Sequence, residues 1–197
     1  GNYRDVYIEV EETNTGQFSI FLGYSSVEEL FAGITVTERN FNHEGIYYMW
    51  RDGLRALRGG GEYLQLTTQI GQKSRTYTLS WTKPYFMDTK WTIGFDLSNS
   101  TTRYISKEYD LETIALALRA NYDINQFLRW GLQYRLKNGS VDLHNHASEI
   151  DDLEREADIH GLISAVGTSL SYDSTNHPIK PSEGFRSRLF LEYAGLG

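Results

Sequence analysis

One stretch decides the fold class: residues 128–137, which read LRWGLQYRLK. The even positions carry Leu, Trp, Leu, Tyr and Leu, whereas the odd positions carry Arg, Gly, Gln, Arg and Lys. A period of two is that of a β-strand with one apolar face and one polar face. The polar face is more basic than a packed soluble core tolerates without partners. Such a strand is typical of a wall between lipid and a water-filled lumen.

The same alternation recurs along the chain. We expect about nine strands after Gly16, each of roughly 9–11 residues. They lie near residues 18–24, 30–36, 64–70, 77–81, 91–97, 114–120, 128–137, 160–172 and 185–193. An earlier run, residues 6–11, is acidic on its polar face and is expected to be a soluble strand. The pattern predicts an all-β, antiparallel transmembrane barrel fragment with one short amphipathic helix.

The connections give a second signal. We term the side from which Gln17 departs the near side. Far-side turns are expected at residues 71–74, 101–109 and 138–158, and near-side turns at 83–90, 123–126 and 173–184. The last far-side connection is long and acidic, whereas aromatic residues flank the near-side turns: Trp81, Tyr85, Phe86, Trp91, Tyr122, Phe127 and Trp130. Long loops on one side and an aromatic girdle are typical of outer-membrane barrels.

Composition excludes several classes. The 197 residues have a mean hydropathy of -0.48, and no apolar run approaches the roughly 18 residues of a membrane-spanning helix. The net charge of -7 argues against a nucleic-acid partner, because there is no basic excess to meet phosphates. The absence of Cys excludes disulfides and thiolate metal sites. Alternation alone leaves a soluble β-sandwich open, since its strands also hide one face.

Three segments resemble BamA proteins, a POTRA and surface-antigen barrel family, in the order of that family. Residues 10–24, VEETNTGQFSIFLGY, resemble the junction between the last periplasmic POTRA domain and the first barrel strand. Residues 81–86, WTKPYF, look like the family's Asn-Pro-Tyr-Phe-type turn. Residues 172–184 look like its Asp-x-x-x-x-Pro-x-x-Gly hairpin.

The resemblance implies part of a 16-stranded outer-membrane barrel that folds and inserts other barrel proteins, without a cofactor and without enzymatic chemistry. Residues 1–14 would be the end of the last POTRA domain, and residues 15–197 the N-terminal part of the barrel. The implied partners are client outer-membrane proteins, assembly-complex lipoproteins and the lipid bilayer. The family's Arg-Gly-Phe or Arg-Gly-Tyr lumen loop would lie beyond Gly197. About nine strands leave an open edge, so we expect a piece of a longer chain.

The implied client-binding seam is the first barrel strand. An incoming strand would pair with its open edge by β-augmentation. A hinge at residues 13–16 would let the seam move, and Gly23 would weaken its packing. The alternative is an ordinary structural strand. The seam residues are Gln17, Phe18, Ser19, Ile20, Phe21, Leu22, Gly23 and Tyr24.

Charged residues on the polar parity are expected to face the lumen. They are Asp96, Arg119, Arg129, Arg135 and Lys137. In a self-contained small barrel that acts as a pore or adhesin, the alternative function, they would set ion selectivity. Otherwise they keep the lumen hydrated and pair with one another.

Residues 45–58 have a helical period instead. Ile46, Trp50, Leu54 and Leu57 share one face, and the arginines lie outside it. We expect an amphipathic helix on the near side, either in the headgroup layer or as a cap on the barrel mouth.

The sequence indicates neither a metal site nor an enzyme. His144 and His146 with Glu149, Asp151 and Asp152 could be drawn as metal ligands, but a solvated acidic loop is the favoured interpretation. No hydrolase, phosphate-loop or zinc-protease motif occurs in the chain.

Overall fold

The computed structural model describes residues 14–26, 29–104, 109–143, 161–177 and 179–195. They form one antiparallel sheet of nine strands in chain order, in which each strand pairs with its neighbours in sequence. The strands are β1 Gly16–Ser25, β2 Glu29–Phe41, β3 Glu62–Gly71, β4 Ser74–Lys83, β5 Trp91–Tyr104, β6 Tyr109–Asp123, β7 Leu128–Leu143, β8 Gly161–Asp173 and β9 Arg186–Ala194. The predicted all-β antiparallel class and the predicted number of strands are confirmed.

Helical structure is short. Helix α1, Gly45–Asp52, is followed directly by a 3₁₀ helix, Gly53–Leu57, and a second 3₁₀ turn spans Phe86–Asp88. None of the helices in the described residues has the length and apolar character needed to cross a membrane.

The register separates the two faces of the sheet. One row of paired residues crosses β4 to β9: Trp81, Phe95, Leu118, Tyr134, Val166 and Tyr193. The adjacent row carries Ser80, Asp96, Ala117, Arg135, Ala165 and Ala194. Because paired residues point to the same side, the first row marks an apolar outer face and the second a polar inner face.

No second layer covers the outer face of the described sheet. The side chain of Leu132, on the outer face of β7, is 38% exposed, and those of Phe95 and Leu116 are partly exposed. Among the described residues, only Phe41 and Ala165 are buried hydrophobic side chains. A soluble sandwich would hide this face beneath another sheet. The apolar face is therefore left for another solvent.

Aromatic side chains gather at the near-side end of the outer face. The ring centroid of Trp91 lies 5.1 Å from that of Tyr122 and 5.9 Å from that of Trp130. Tyr172 continues the row, 6.2 Å from Phe127 and 6.3 Å from Phe185. We term this row the aromatic belt, and it has the composition of a membrane-interface girdle.

Strand β2 has 13 residues, and three further strands exceed the predicted length by more. Strands β5, β6 and β7 have 14, 15 and 16 residues, so the far-side connections predicted at 101–109 and 138–158 begin too early. Most of the extra residues are polar, and they remain paired with the neighbouring strands. Asn99 donates to Glu112 over 3.3 Å, and Arg103 lies 3.3 Å from Asp110. Alternation of apolar residues does not reveal such polar extensions, which continue the ladder beyond the apolar band.

The single helix predicted over residues 45–58 is wrong in extent. Gly53 has φ of 68°, which ends α1, and its N–H donates to the carbonyl of Met49. A glycine at this position adopts a left-handed conformation without a Cβ penalty. The segment does lie on the near side, between β2 and β3. The predicted strand at residues 6–11 falls outside the described residues.

Strands β4 and β5 approach closely at Gly94. A Cβ there would lie 2.6 Å from the carbonyl oxygen of Trp81, which belongs to the backbone of the neighbouring strand. At Gly139, also on the inner face, the nearest atom would be 4.0 Å away.

We expect Gly94→Ala to lower the free energy of unfolding by about 1–3 kcal/mol, because the backbones must separate to admit the methyl group. Gly139→Ala is the matched control and should be nearly neutral. Urea unfolding in lipid vesicles measures both. Equal effects of the two substitutions would contradict this account of Gly94.

Glu62 is the buried charge of the sheet's near-side end. Only 1% of it is exposed, and its carboxylate accepts hydrogen bonds from the Trp81 indole and the Lys83 ammonium, each at 2.9 Å. The backbone N–H of His43 donates to it over 3.1 Å, and the His43 ring nitrogen Nδ1 lies 2.5 Å away. We term these four residues the Glu62 cluster.

Replacing Glu62 by Gln removes the charge and puts an NH₂ group where an oxygen accepted. We expect the free energy of unfolding to fall by about 1–3 kcal/mol, because a buried donor is left without its acceptor. The control is Glu183→Gln, an exposed side chain in a near-side connection, which should have little effect. If both variants unfold at the same urea concentration as the parent, the cluster contributes nothing to stability.

Candidate functional site

The first strand forms one edge of the described sheet. It pairs with β2 without interruption, from Gly16 opposite Glu38 to Ser25 opposite Glu29. Within the described residues no other strand pairs with β1, and β9 forms the opposite edge. In an antiparallel ladder alternate residues direct their N–H and C=O groups to each side. About half of the backbone polar groups of β1 therefore point away from the sheet.

The side chains of the predicted seam divide between the two faces. Four large apolar groups lie on the outer face and are 62–77% exposed: Phe18, Ile20, Leu22 and Tyr24. The inner face carries Gln17, Ser19, Phe21 and Gly23. Gln17 bridges two neighbours there, since it donates to Ser19 and accepts from Arg39, both over 3.4 Å. An added strand would therefore meet an edge with the same division of faces as the rest of the sheet.

Two aromatic rings pack between β1 and β2 on the inner face. A Cβ at Gly33 would lie 2.2 Å from the ring of Phe21, and one at Gly23 would lie 2.3 Å from the ring of Phe31. Each ring thus covers the glycine of the facing strand, an arrangement that protects the backbone where no side chain is present. Gly23 lacks a side chain of its own but has a ring from β2 packed against it.

The predicted hinge is paired in the part that is described. The N–H of Arg39 donates to the carbonyl of Thr15 over 3.1 Å, which extends the ladder one residue before Gly16. On the outer face Arg58 lies 3.1 Å from Glu38, and a Cβ at Gly16 would be 3.2 Å from both side chains. Thr13 falls outside the described residues.

The predicted lumen residues all lie on the inner face, and three arginines have acidic partners. Arg119 donates to Asp96 over 3.0 Å, Arg129 lies 2.5 Å from Asp123, and Arg135 pairs with Glu192. Lys137 stands between Ala115 and Ile163 in neighbouring strands. These groups occupy β5 to β9, away from β1, so the structure does not bring the two predicted sets together. Each half-exposed pair contributes less than about 1 kcal/mol.

The near-side hairpin between β8 and β9 is held by Asp173. Its carboxylate accepts from the hydroxyl of Thr175 over 2.6 Å and from Arg186 over 2.8 Å. Gly184 adopts φ of 107°, and a Cβ there would lie 2.4 Å from the carbonyl of Ser174. The Asp and Gly of the predicted hairpin motif therefore both have a structural role in this turn.

A polar groove of about 400 Å³ opens beside this hairpin on the inner face. Its charged lining consists of two ion pairs, Asp123 with Arg129 and Asp173 with Arg186. Because these charges already neutralise each other, the groove has no excess charge to attract an ion.

Sequence reasoning missed two features. It did not pair the lumen arginines with Asp123 or Glu192, and it did not identify the Glu62 cluster. A signal for the second was present: Glu62 begins the parity that continues through Leu64 and Leu66, where a charge is out of place.

The histidine and acidic residues that could be drawn as a metal site, His144 to Asp152, fall outside the described residues. Within the described ranges, no three His, Asp or Glu side chains are grouped to hold a metal ion.

Comparison of the fold found BamA from Haemophilus ducreyi lacking POTRA domains 1–3, with a TM-score of 0.59 and 15% sequence identity. The match covers 94% of this chain and 35% of that one, so the chain spans about a third of that structure's length. The sheet is therefore similar to part of a BamA barrel. A search of curated proteins found no match.

The family comparison covers most of the chain. Residues 57–197 match the Omp85 superfamily domain, from the end of the 3₁₀ helix to the end of the chain. Strands β1 and β2 lie outside that match. The chain belongs to the Omp85 superfamily.

Proposed function

We propose that this chain is part of an outer-membrane barrel that folds and inserts client barrel proteins through a lateral seam at β1. Residues 1–14 would be the end of the last POTRA domain, and residues 15–197 the N-terminal part of the barrel. The near side would face the periplasm. Family membership and the fold support a barrel in the outer membrane, with the bilayer against the outer face.

The observation that carries the proposal is the edge of β1, which has no partner strand within the described sheet. In hydrocarbon an unpaired N–H or C=O costs several kcal/mol. A client strand that pairs with β1 satisfies these groups, and its own groups are satisfied in return. Affinity then comes mainly from main-chain hydrogen bonds, which every client strand can make. The reaction requires neither a cofactor nor covalent chemistry.

The side chains of β1 support the same role. Phe18, Ile20 and Leu22 are exposed on the outer face, so a strand added in register continues the apolar wall. Clients with alternating side chains fit this edge, because their apolar parity meets lipid and their polar parity meets the lumen. Assembly-complex lipoproteins are the remaining proposed partners.

A seam at β1 predicts cross-linking that is confined to the edge. The chain contains no cysteine, so single replacements report one position each. We expect Phe18→Cys and Ile20→Cys to form disulfides with a cysteine in the terminal strand of a client during its insertion. Non-reducing gel electrophoresis measures the adduct.

The matched controls are Ile34→Cys in β2 and Leu66→Cys in β3. Both side chains are exposed on the outer face, but their strands are paired on both sides. They should give no adduct. Equal adducts from edge and interior positions would mean that the client touches the outer surface without pairing with β1.

A self-contained pore is the second candidate, and the charged inner face is the observation in its favour. The ion pairs at Arg119 and Arg135 keep a lumen hydrated and would also meet passing ions.

The two functions differ in their response to Arg119→Gln. For the assembly role, we expect client insertion to be unchanged, because Arg119 lies on β6 and β1 is five strands away. For a pore, removing this cation shifts the reversal potential in a planar bilayer toward cation selectivity. Insertion assays and bilayer recordings on the same variant decide between them.

A further inference from the structure

The connection between β2 and β3 leaves and returns on the outer face of the sheet. We term residues 42–61 the rim segment. Near its start, His43 contacts Glu62 and its ring lies 5.9 Å from that of Trp81. Near its end, Arg58 lies 3.1 Å from Glu38. Because Leu64 pairs with both Glu38 and Trp81, and Glu62 is two residues from Leu64, all these groups lie on the outer face.

A bulge at the end of β2 helps to place this connection on the outer face. The register shifts between Glu38 and Phe41, so that two residues of β2, Arg39 and Asn40, stand opposite Tyr63 alone. Phe41 consequently pairs with Glu62 and is buried on the outer face. The extra residue moves the end of β2 from one parity to the other.

The rim segment is closed by its own hydrogen bonds. The backbone N–H of Asn42 donates to the carbonyl of Leu57 over 2.9 Å. The backbone N–H of Gly59 donates to the carbonyl of Asn40, at the end of β2, over 2.8 Å. Gly45 is buried against Ala56, where a Cβ would lie 1.8 Å from the carbonyl oxygen. The segment therefore projects as one folded unit from the near-side end of the sheet.

The folded unit leaves large apolar and aromatic side chains exposed. Trp50 is 91% exposed, Tyr47 84% and Leu54 74%. Tryptophan and tyrosine are the residues that concentrate where hydrocarbon meets headgroups. The unit starts beside Trp81, whose ring lies 5.7 Å from that of Phe95 on the outer face. The aromatic residues of α1 thus stand at the same end of the sheet as the aromatic belt.

We propose that the rim segment lies in the phospholipid headgroup layer of the near-side leaflet and anchors the barrel there, outside the lumen. This inference rests on the proposed membrane location. Three observations support it: both ends of the segment are fixed to the outer face, its exposed side chains are of the interfacial type, and it starts beside Trp81 at the near-side end of that face. Arg58 and Glu38 lie against Gly16 at the start of β1, so the anchor flanks the seam.

Depth-dependent quenching tests the inference in the full chain. Trp50→Cys is labelled with an environment-sensitive fluorophore and inserted into vesicles of phosphatidylethanolamine and phosphatidylglycerol. We expect strong quenching by a lipid that carries its nitroxide near the headgroup, weaker quenching by a mid-chain nitroxide, and little quenching by aqueous iodide. Leu54→Cys is a second labelled position, in case the first substitution disturbs α1.

Two controls make every result decisive. Leu132→Cys on the outer face should respond to the mid-chain nitroxide, whereas Gln126→Cys, exposed in the near-side turn beside the inner groove, should respond to iodide alone. If both rim labels behave like Gln126 while Leu132 is quenched by lipid, the anchor is wrong and the barrel proposal stands. If Leu132 is also quenched only by iodide, the membrane location fails and the anchor fails with it.

Discussion

The whole arrangement depends on register. Eight antiparallel pairings keep apolar residues on one face from β1 to β9, and a slip of one residue in any of them would turn a strand's apolar side chains into the lumen. Since hydrocarbon cannot hydrogen-bond to a backbone, each pairing also has to satisfy every group along its length. In the described sheet the outer edges of β1 and β9 are the exceptions, and the edge of β1 is the basis of the proposed assembly role.

Much of the fold could be predicted from local sequence patterns. Alternation in segments such as residues 128–137 was enough to predict the strands and their two faces, because the period of a strand is visible within one strand. Non-local pairing was not visible. Arg135 pairs with Glu192 from a strand two positions further along the sheet, and Glu62 accepts hydrogen bonds from Trp81 and Lys83 of the neighbouring strand. The ends of β5 to β7 were missed because the alternation of apolar and polar residues does not extend into them.

The candidate site also has features that followed from the sequence and features that only the structure shows. The position of β1 at an edge followed from a resemblance at residues 10–24, and its pairing with β2 follows from the structure. The rings of Phe21 and Phe31 over facing glycines could not be read from either strand alone, because each ring and its glycine are on different strands. Arg58 of the rim segment lies against Gly16, the residue before the seam, so the residues that would bind a client and those that would anchor in lipid are neighbours.

The bulge in β2 shows how little sequence is needed to relocate a connection. Counted along the chain, Phe41 has the parity of Thr35 and Thr37, which face inward, yet one additional residue brings it outward. In a cylinder of alternating strands, inside and outside differ by an odd or even count. A family of such proteins can therefore move an inserted element from its channel to its periphery by gaining or losing a single amino acid, with every strand kept in place.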